Sequence, residues 1–585
     1  MTENKNSDFT AQIGTSLKQW REVSHKSIDQ VAQESGVSSE VVSQIEQGDS
    51  WMRIDDVLKV AQTLGLLEKL KQAFAALEAA PVEQQEEQTE ASTNTLEPEA
   101  QEGNAQEEVQ PKQQDKPQPQ PAPAVEQPWL TEANWYDGSM VYQIYPLGLT
   151  GAPWRNDGSA EGATNDDPHR LLKIIDDGWI VQAKKLGATC IMLNPVFESD
   201  SHGYDTRDYT KVDSRLGTNE DLRAVVDAAH QQGIKVILDA VLNHVGRGFW
   251  AFQDVIKNRQ DSKYVGWFNI DWNSNSPYND GFSYESWQGV SELVQLNHNN
   301  LELNNYLNDV ILRWEKEFDI DGLRLDVAYC LDPGYLKYLR QTANQLTEKR
   351  HQKFLLMGET MFGDYNQWMG DDACDTVYNY EAYKGLWGSM NSSNMHEIAY
   401  SLERQSGDKP WDLYTGKHLF NFLDNHDTSR IASTLNDKKQ LKPLYGLLFG
   451  MPGVPAVYYG SEWGIEGEKK FGDHEQRPSL DKPEWNDLTD WIQTLTKARL
   501  TTAGAEALCE GDYHELLWQP KQLVFQRACE SGRVIVAINA DSKPAHLDFN
   551  AQCGQGTNLI TGEQHDFGGG SDLGAYGAAY WLCKK

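Results

Sequence analysis

Short apolar runs alternate with longer amphipathic stretches over residues 129–499. Short apolar runs are typical of buried strands, and apolar positions spaced three and four residues apart predict helices. Regular alternation of the two predicts an α/β fold with parallel strands, and a count of eight strands predicts a (β/α)8 TIM barrel. The strands are expected at 140–145, 190–193, 236–241, 322–327, 354–358, 376–380, 419–423 and 456–459, and the helices include 170–186, 219–232 and 301–317.

Two departures from this alternation predict further domains. Residues 245–298 follow the third strand, are too long for a turn and are rich in aromatic side chains. They predict a small subdomain inserted into the barrel. Over residues 500–585 the pattern changes to alternating strands at 522–527, 533–539, 546–549 and 578–582, which predicts a C-terminal antiparallel β-sandwich.

Residues 1–79 predict a separate all-α unit. Ser27 followed by Gln30 is a capping-box pattern that opens a short helix, Gly36 supplies a turn, and Ser38 or Ser39 opens a second helix. Apolar positions at helical spacing predict a shared core of Leu17, Val31, Ala32, Val37, Val42, Ile45, Leu58, Ala61 and Leu64. This layout resembles the helix-turn-helix domains of the Cro and phage-repressor type.

The charge of this unit disfavours DNA as its partner. Residues 1–80 hold eight Lys/Arg and twelve Asp/Glu, and the second helix begins near Glu40 and lacks any Lys or Arg. Phosphate contacts need cations, although Gln44 and Gln47 could read bases. Docking to a protein or self-association is therefore preferred, while DNA binding and an inert remnant stay open. Residues 80–128, rich in Glu, Gln and Pro, predict a disordered linker.

The composition of the whole chain disfavours several classes of binding partner. A formal net charge of −35 disfavours nonspecific binding to nucleic acid or to anionic membranes. No signal peptide and no membrane-spanning run is apparent. The seven cysteines are odd in number and lack CxxC spacing, which is typical of reduced thiols. We therefore expect a cytoplasmic protein with no membrane partner and a neutral or cationic ligand.

The segment Asp321–Ala328 is the first candidate site. In a strand, Arg324 and Asp326 leave the same face, and a cation so close favours an ionised Asp326. Alone, this pair could equally be a buried structural ion pair. Further acids and histidines follow other predicted strands, and the carboxyl ends of barrel strands meet at one rim. These residues are Asp239 and His244 at the end of strand three, Glu359 at the end of strand five, and His426 and Asp427 after strand seven.

Such a rim supplies what glycoside hydrolysis requires. One carboxylate attacks or stabilises the sugar carbon, and one protonated acid assists the departing oxygen. Singly, each acid or histidine would more often be structural. Four such motifs, each at a predicted strand end, favour a common site.

The four motifs, in this order, resemble those of the α-amylase superfamily, glycoside hydrolase family 13, over about residues 139–500. Within it, the chain is similar to the neopullulanase, cyclomaltodextrinase and maltogenic amylase group at 249–255, 262–264, 267–268 and 318–322. The resemblance implies a retaining hydrolase of α-1,4 linkages in short or cyclic maltooligosaccharides. A transglycosylase or isomerase using the same site, and a maltodextrin-responsive regulator that binds DNA, remain as alternatives.

The resemblance also implies roles for individual residues. Asp326 is the nucleophile, Glu359 the general acid and base, and Asp427 holds sugar hydroxyls. The implied substrate-binding or supporting residues are Arg324, His244, His426, Tyr204, His202 and Asp239. No cofactor is expected, although Asn243 corresponds to a calcium ligand in some relatives. A loop with Asn156, Asp157 and 165–167 is read as solvated rather than as a calcium site.

Two departures from the group concern the leaving-side sugars. Tyr329 and Cys330 stand where relatives usually carry Asn-Glu, and the aromatic residue common after the acid's Gly-Glu-x is replaced in Glu359-Thr360-Met361-Phe362. In addition, the helix-turn-helix unit and the linker stand where the group carries an N-terminal carbohydrate-binding domain. The preference for particular leaving-side sugars is therefore left open.

Overall fold

The computed structural model describes residues 17–18, 21, 26–47, 59–60, 63, 127–156, 168–407 and 409–583. Two units, 1–117 and 118–585, are described separately. Several predictions lie outside the described residues: most of the linker (80–126), the loop 157–167, and the core positions Leu58, Ala61 and Leu64. The predicted domain boundaries stay predictions.

The N-terminal unit contains the two predicted short helices, α1 (Ile28–Ser35) and α2 (Ser39–Gln47). The capping box is present, because Ser27 Oγ accepts from Gln30 N and the Gln30 side chain accepts from Ser27 N. Gly36 ends α1 at φ 71°, in the left-handed region that favours glycine. The buried cluster holds the expected Leu17, Val31, Ala32, Val37, Val42 and Ile45, together with Val60.

Eight parallel strands form the barrel, as predicted. They pair in the order β6-β5-β4-β3-β2-β1-β8-β7, and a bridge between Tyr378 and Phe420 joins β6 to β7. The ring is therefore nearly closed, and all eight carboxyl ends face the same rim. The strands are β1 (Val141–Ile144), β2 (Cys190–Leu193), β3 (Lys235–Ala240), β4 (Gly322–Leu325), β5 (Leu355–Gly358), β6 (Thr376–Val377), β7 (Phe420–Asn421) and β8 (Val454–Tyr458).

Helices pack around the strands, and their buried faces carry the predicted apolar spacing. The expected helix over 170–186 is broken, because Gly178 at φ 87° separates Lys173–Asp176 from α3. The expected strand over 376–380 is shorter, since the Asn379 side chain accepts from Ala382 N and opens α8. The helices are α3 (Trp179–Leu186), α4 (Asn219–Gln231), α5 (Trp250–Asn258), α6 (Leu301–Phe318), α7 (Pro333–Arg350), α8 (Tyr380–Ser392), α9 (His396–Ser406), α10 (Leu441–Gly450), α11 (Asp487–Leu500) and α12 (Ala505–Glu510).

The subdomain predicted after β3 is present. It holds α5 and two short antiparallel ladders, which pair 244–246 with 293–295 and 270–271 with 283–284. The C-terminal antiparallel sheet has six strands in the order β9-β10-β11-β14-β12-β13, and a two-stranded sheet (545–547, 571–573) packs on it. The sequence pattern missed β9 and the short β12 and β13. The strands are β9 (Asp512–Gln519), β10 (Gln522–Ala528), β11 (Arg533–Asn539), β12 (Gln555–Asn558), β13 (Gln564–Asp566) and β14 (Gly577–Cys583).

No helix within the described ranges is long and apolar enough to cross a membrane.

Candidate active site

Strand register brings the first predicted acids together. Arg324 on β4 is the direct partner of Asp239 on β3, and Leu325 is the partner of Gly358, so Asp326 and Glu359 follow side by side. All of these side chains are buried. Three acids on neighbouring strands therefore converge at the carboxyl end of the barrel, as the sequence predicted.

Arg324 is the centre of this acidic cluster. Its Nη1 donates to Asp239 at 2.8 and 2.9 Å and to Asp326 Oδ1 at 2.7 Å, while its Nη2 lies 2.8 Å from Glu359 Oε1. The guanidinium is fully buried, and Tyr204 and Tyr378 lie beside it at 5.7 and 5.5 Å from their ring centres. One guanidinium therefore lies within ion-pair distance of three carboxyl groups.

This sharing corrects the expectation that Arg324 keeps Asp326 simply ionised. Burial raises the pKa of Asp326 well above its usual range, and the charges of Glu359 and Asp239 add to it, although Arg324 opposes the shift. Each charge inside a low-dielectric site is costly unless it is fully compensated. The buried surroundings therefore shift the pKa of Asp326 in the direction opposite to the one that the isolated motif predicted.

Val327 positions the second acid. This residue follows Asp326 at φ 40°, a left-handed conformation that is strained for a β-branched residue. Its N–H donates to Glu359 Oε2 at 3.1 Å, and Tyr380 Oη donates to Oε1 at 3.5 Å. The strain ends β4 two residues earlier than predicted and holds the two carboxyls as neighbours.

Asp427 occupies a different electrostatic environment. Its Oδ2 lies 2.9 Å from His426 Nε2, and Arg477 Nη2 donates to its Oδ1 at 2.9 Å. Burial raises the pKa of Asp427, but His426 and Arg477 outweigh it and hold the pKa well below its usual range. The side chain is one-third exposed, so an ionised carboxylate faces the open rim.

Tyr204 and His426 connect Asp427 with the acidic cluster around Arg324. Their rings stack with centres 5.4 Å apart, and Tyr204 Oη lies 2.5 Å from His426 Nε2 and donates to Asp239 Oδ2 at 2.9 Å. His202 lies beside them, partly exposed, with its ring centre 6.1 Å from that of Tyr204. The three residues therefore lie together at the rim, and their contact with substrate stays a prediction.

His244 presents an unused polar atom to the site. Its Nε2 is buried, lies 3.8 Å from Asp326 Oδ2 and has no hydrogen-bond partner among the described residues. Burial lowers the pKa of His244 to about 3, so the imidazole is neutral. Asn243 Nδ2 lies 3.2 Å from His244 Nδ1, and a calcium-binding role for Asn243 stays a prediction.

The sequence analysis missed three supporting residues. Asn194 Nδ2 donates to Tyr204 Oη and to Asp239 Oδ2, both at 3.0 Å, and Gln143 Nε2 lies 3.1 Å from His426 Nδ1. Asn194 directly follows β2, so the strand-end rule could have found it. Arg477 comes from the segment after β8, and no local pattern marks it.

The two departures from the related group lie together at the rim. The ring centres of Tyr329 and Phe362 are 5.3 Å apart, and Gln288 of the inserted subdomain donates to Tyr329 Oη at 3.3 Å. Phe362 is 65% exposed and Met361 47%, which is unusual for large apolar side chains. Tyr329, Met361 and Phe362 are called the apolar rim below.

Comparisons with known proteins agree with this geometry. The model of the "Alpha amylase, catalytic domain" family matches residues 182–497, and a "Helix-turn-helix" model matches residues 17–68. The cyclomaltodextrinase of Geobacillus thermopakistaniensis is 30% identical over 459 residues, 74% of each chain. The intracellular maltogenic amylase of Bacillus subtilis is 33% identical over 352 residues, and this match spans 57% of each chain.

A solved structure shares the architecture of the second unit. The cyclic α-maltosyl-(1→6)-maltose hydrolase of Arthrobacter globiformis superimposes with a TM-score of 0.64 at 27% identity, covering 77% of this chain and all of that one. More than half of the chain thus matches one catalytic-domain family, with its strand-end acids in one site. The chain belongs to the α-amylase family.

Proposed function

We propose that the chain is a retaining glycoside hydrolase that cleaves α-1,4-glucosidic linkages in short or cyclic maltooligosaccharides. The observation that carries this is the cluster of Asp326 and Glu359 on one buried guanidinium, with ionised Asp427 facing it across the rim. Relatives named as cyclomaltodextrinase and maltogenic amylase support the substrate class.

The proposed reaction uses the carboxyl groups of Asp326 and Glu359 in different protonation states. Asp326 attacks the anomeric carbon as the glycosidic C–O bond breaks, and Glu359 gives its proton to the departing oxygen. In the reactive form Glu359 carries this proton and Asp326 is ionised. Glu359 then takes a proton from water, whose oxygen displaces Asp326 from the sugar and regenerates both groups.

The remaining residues hold the sugar. Asp427 accepts hydrogen bonds from sugar hydroxyls, and His244 Nε2 and His426 supply the complementary polar contacts. Tyr204 offers a ring face to the sugar's apolar side, with His202 next to it, and Arg324 and Asp239 keep the nucleophile in position. Retention predicts that the carboxyl groups of Asp326 and Glu359 lie about 5–5.5 Å apart.

Product analysis tests the proposal directly. The purified full chain is incubated with maltotriose, a cyclodextrin, pullulan and soluble starch, and products and their anomeric form are followed by chromatography and NMR. We expect faster cleavage of the small or cyclic substrates than of starch, with α-configured products. Preference for starch would contradict the substrate class, and β-configured products would contradict retention. Asp326→Asn is the negative control.

Transfer to a second sugar is the alternative that one observation favours. The apolar rim gives an acceptor sugar a surface next to Glu359, and an acceptor that displaces water there converts hydrolysis to transglycosylation. Adding glucose or maltose to the reaction should then raise longer or isomeric products at the expense of hydrolysis. An unchanged product pattern would leave hydrolysis as the activity.

We further propose that the N-terminal unit docks a protein or a second copy of this chain, in the cytoplasm, rather than DNA. Its acidic balance supports this, as does the pairing of Arg21 with Glu46 at 2.5 Å, which removes one of its few cations from phosphate contact. The name of the intracellular B. subtilis relative supports the location. Light scattering of the full chain and of a chain lacking residues 1–79 tests self-association, while steeply salt-dependent DNA binding would contradict the proposal.

A further inference from the structure

Three potential metal ligands meet at the end of the barrel opposite the catalytic residues. Asp137 precedes β1, and His418 precedes β7, so both lie at the amino ends of their strands. Glu510 is the last residue of α12, next to the C-terminal sheet. Segments that are 281 and 92 residues apart along the chain thus bring a nitrogen and two carboxylate oxygens to one point, remote from the sugar site.

The ligand atoms are close enough to share one ion. His418 Nε2 lies 3.2 Å from Glu510 Oε2 and 3.9 Å from Asp137 Oδ1, and all three donor atoms lie within 4.8 Å of one another. Around tetrahedral zinc, with bonds of about 2.0–2.2 Å, neighbouring ligand atoms are about 3.3–3.5 Å apart. A movement of about 1 Å by one carboxylate therefore closes the set.

The surroundings leave this cluster incompletely satisfied and accessible. In the part of the chain that the structure describes, neither carboxylate forms an ion pair with Lys or Arg, and Glu510 Oε1 is buried without a hydrogen-bond partner. A cavity of about 480 Å³ is lined by Asp137 and His418, and a small one of about 20 Å³ by His418 and Glu510. The first gives a small ion and its water a path of entry.

We propose that Asp137, His418 and Glu510 bind a divalent transition-metal cation, with Zn²⁺ as the best-fitting ion. One imidazole and two carboxylates form a mixed nitrogen and oxygen set, which suits Zn²⁺ better than Ca²⁺ or Mg²⁺, and water completes the coordination. The bound ion ties the segment before β1 and the segment before β7 to α12. Its role is structural, because the proposed catalytic side chains lie at the opposite, carboxyl ends of the strands.

The test measures zinc binding and thermal stability in the full chain. Protein without an affinity tag is treated with a chelator, kept reduced so that thiols do not oxidise, and titrated with Zn²⁺ by calorimetry. His418→Gln and Glu510→Gln each remove one ligand while keeping a polar side chain of similar size. His546→Gln is the matched control, because His546 forms a comparable pair with Asp572 at 2.7 Å but lies outside any such cluster among the described residues.

Wild type and His546→Gln should bind one more equivalent of zinc than His418→Gln and Glu510→Gln. Saturating zinc should raise the melting temperature of wild type and of His546→Gln by at least about 2 °C, and it should leave that of His418→Gln and Glu510→Gln unchanged. Metal-free melting curves show whether each variant is folded, and either ligand variant alone is sufficient for the comparison. Equal zinc stoichiometry in all four proteins, or none in wild type, overturns the proposal and leaves His418 as an ion-pair partner of the two acids.

Discussion

Replacing Asp326 by asparagine separates the chemistry of the site from its stability. Asparagine keeps the size of the side chain and the Oδ1 that accepts from Arg324 at 2.7 Å, but it cannot form the glycosyl intermediate. We expect kcat to fall by at least about 10⁴-fold, which corresponds to about 5.4 kcal/mol of transition-state stabilisation. The assay is maltotriose hydrolysis by the two proteins at equal concentration.

The same variant should be more stable than wild type at neutral pH. Burial and the charges of Glu359 and Asp239 raise the pKa of Asp326 above the value of about 3.9 in an unfolded chain. Its contribution to folding is therefore fully present below about pH 4 and is lost as the pH rises through the folded-state pKa. Each unit of elevation destabilises the ionised wild type by about 1.4 kcal/mol, and asparagine removes this effect.

The stability change is large enough to measure. The free energy of unfolding of a unit of this size changes by roughly 1 kcal/mol per degree near its midpoint, so each unit of pKa elevation should appear as about 1–2 °C in Tm. Scanning calorimetry at pH 4, 6 and 8 should show a gain for Asp326→Asn that grows with pH. A loss of stability at pH 8, or a gain independent of pH, would refute the reasoning.

Asp427→Asn is the matched control with the opposite sign. His426 and Arg477 hold the pKa of Asp427 well below its usual range against the effect of burial. Its stabilisation is therefore present above about pH 4 and lost below it as the pH falls through the folded-state pKa. This variant should melt lower than wild type at pH 6 and 8, and the difference should shrink at low pH. Parallel behaviour of the two variants would mean that their environments are not distinct.

Three further changes test other parts of the site. Glu359→Gln should lower the rate of maltotriose cleavage by about 10²–10⁴-fold. It should leave the first step with a glycosyl fluoride intact, because fluoride departs without help from an acid. Equal losses of rate on both substrates would contradict the role of Glu359 as the acid. His244→Gln should lower kcat/KM without moving the pH profile between pH 5 and 8, because burial lowers the pKa of His244 to about 3; a displaced profile would contradict this. Phe362→Ala should raise KM for maltotriose more than it lowers kcat, because we expect the exposed ring to contact leaving-side sugar and not the reacting bond. An unchanged KM would contradict a role of the apolar rim in substrate binding.

Local pattern predicted most of the architecture. The apolar runs and amphipathic helices identified the barrel, the inserted subdomain and the C-terminal sheet, because burial on one or both faces leaves a period that can be read directly. The predicted ends of helices and strands were less accurate where the conformation of a single residue decides them. Gly178 and Val327 adopt left-handed backbone, and Asn379 caps a helix, and these are local events that periodicity does not reveal.

The sequence by itself also predicted which acids lie together, since Asp239 is near the end of β3, and Asp326, Glu359 and Asp427 follow β4, β5 and β7. Tertiary structure decided their electrostatics. One arginine shared among three buried carboxyls raises the pKa of Asp326, while His426 and Arg477 lower that of Asp427. The cluster of Asp137, His418 and Glu510 is likewise a product of the fold alone. Spacing along the chain specifies periodic burial, whereas charge balance depends on which distant side chains the closed barrel brings within a few ångströms.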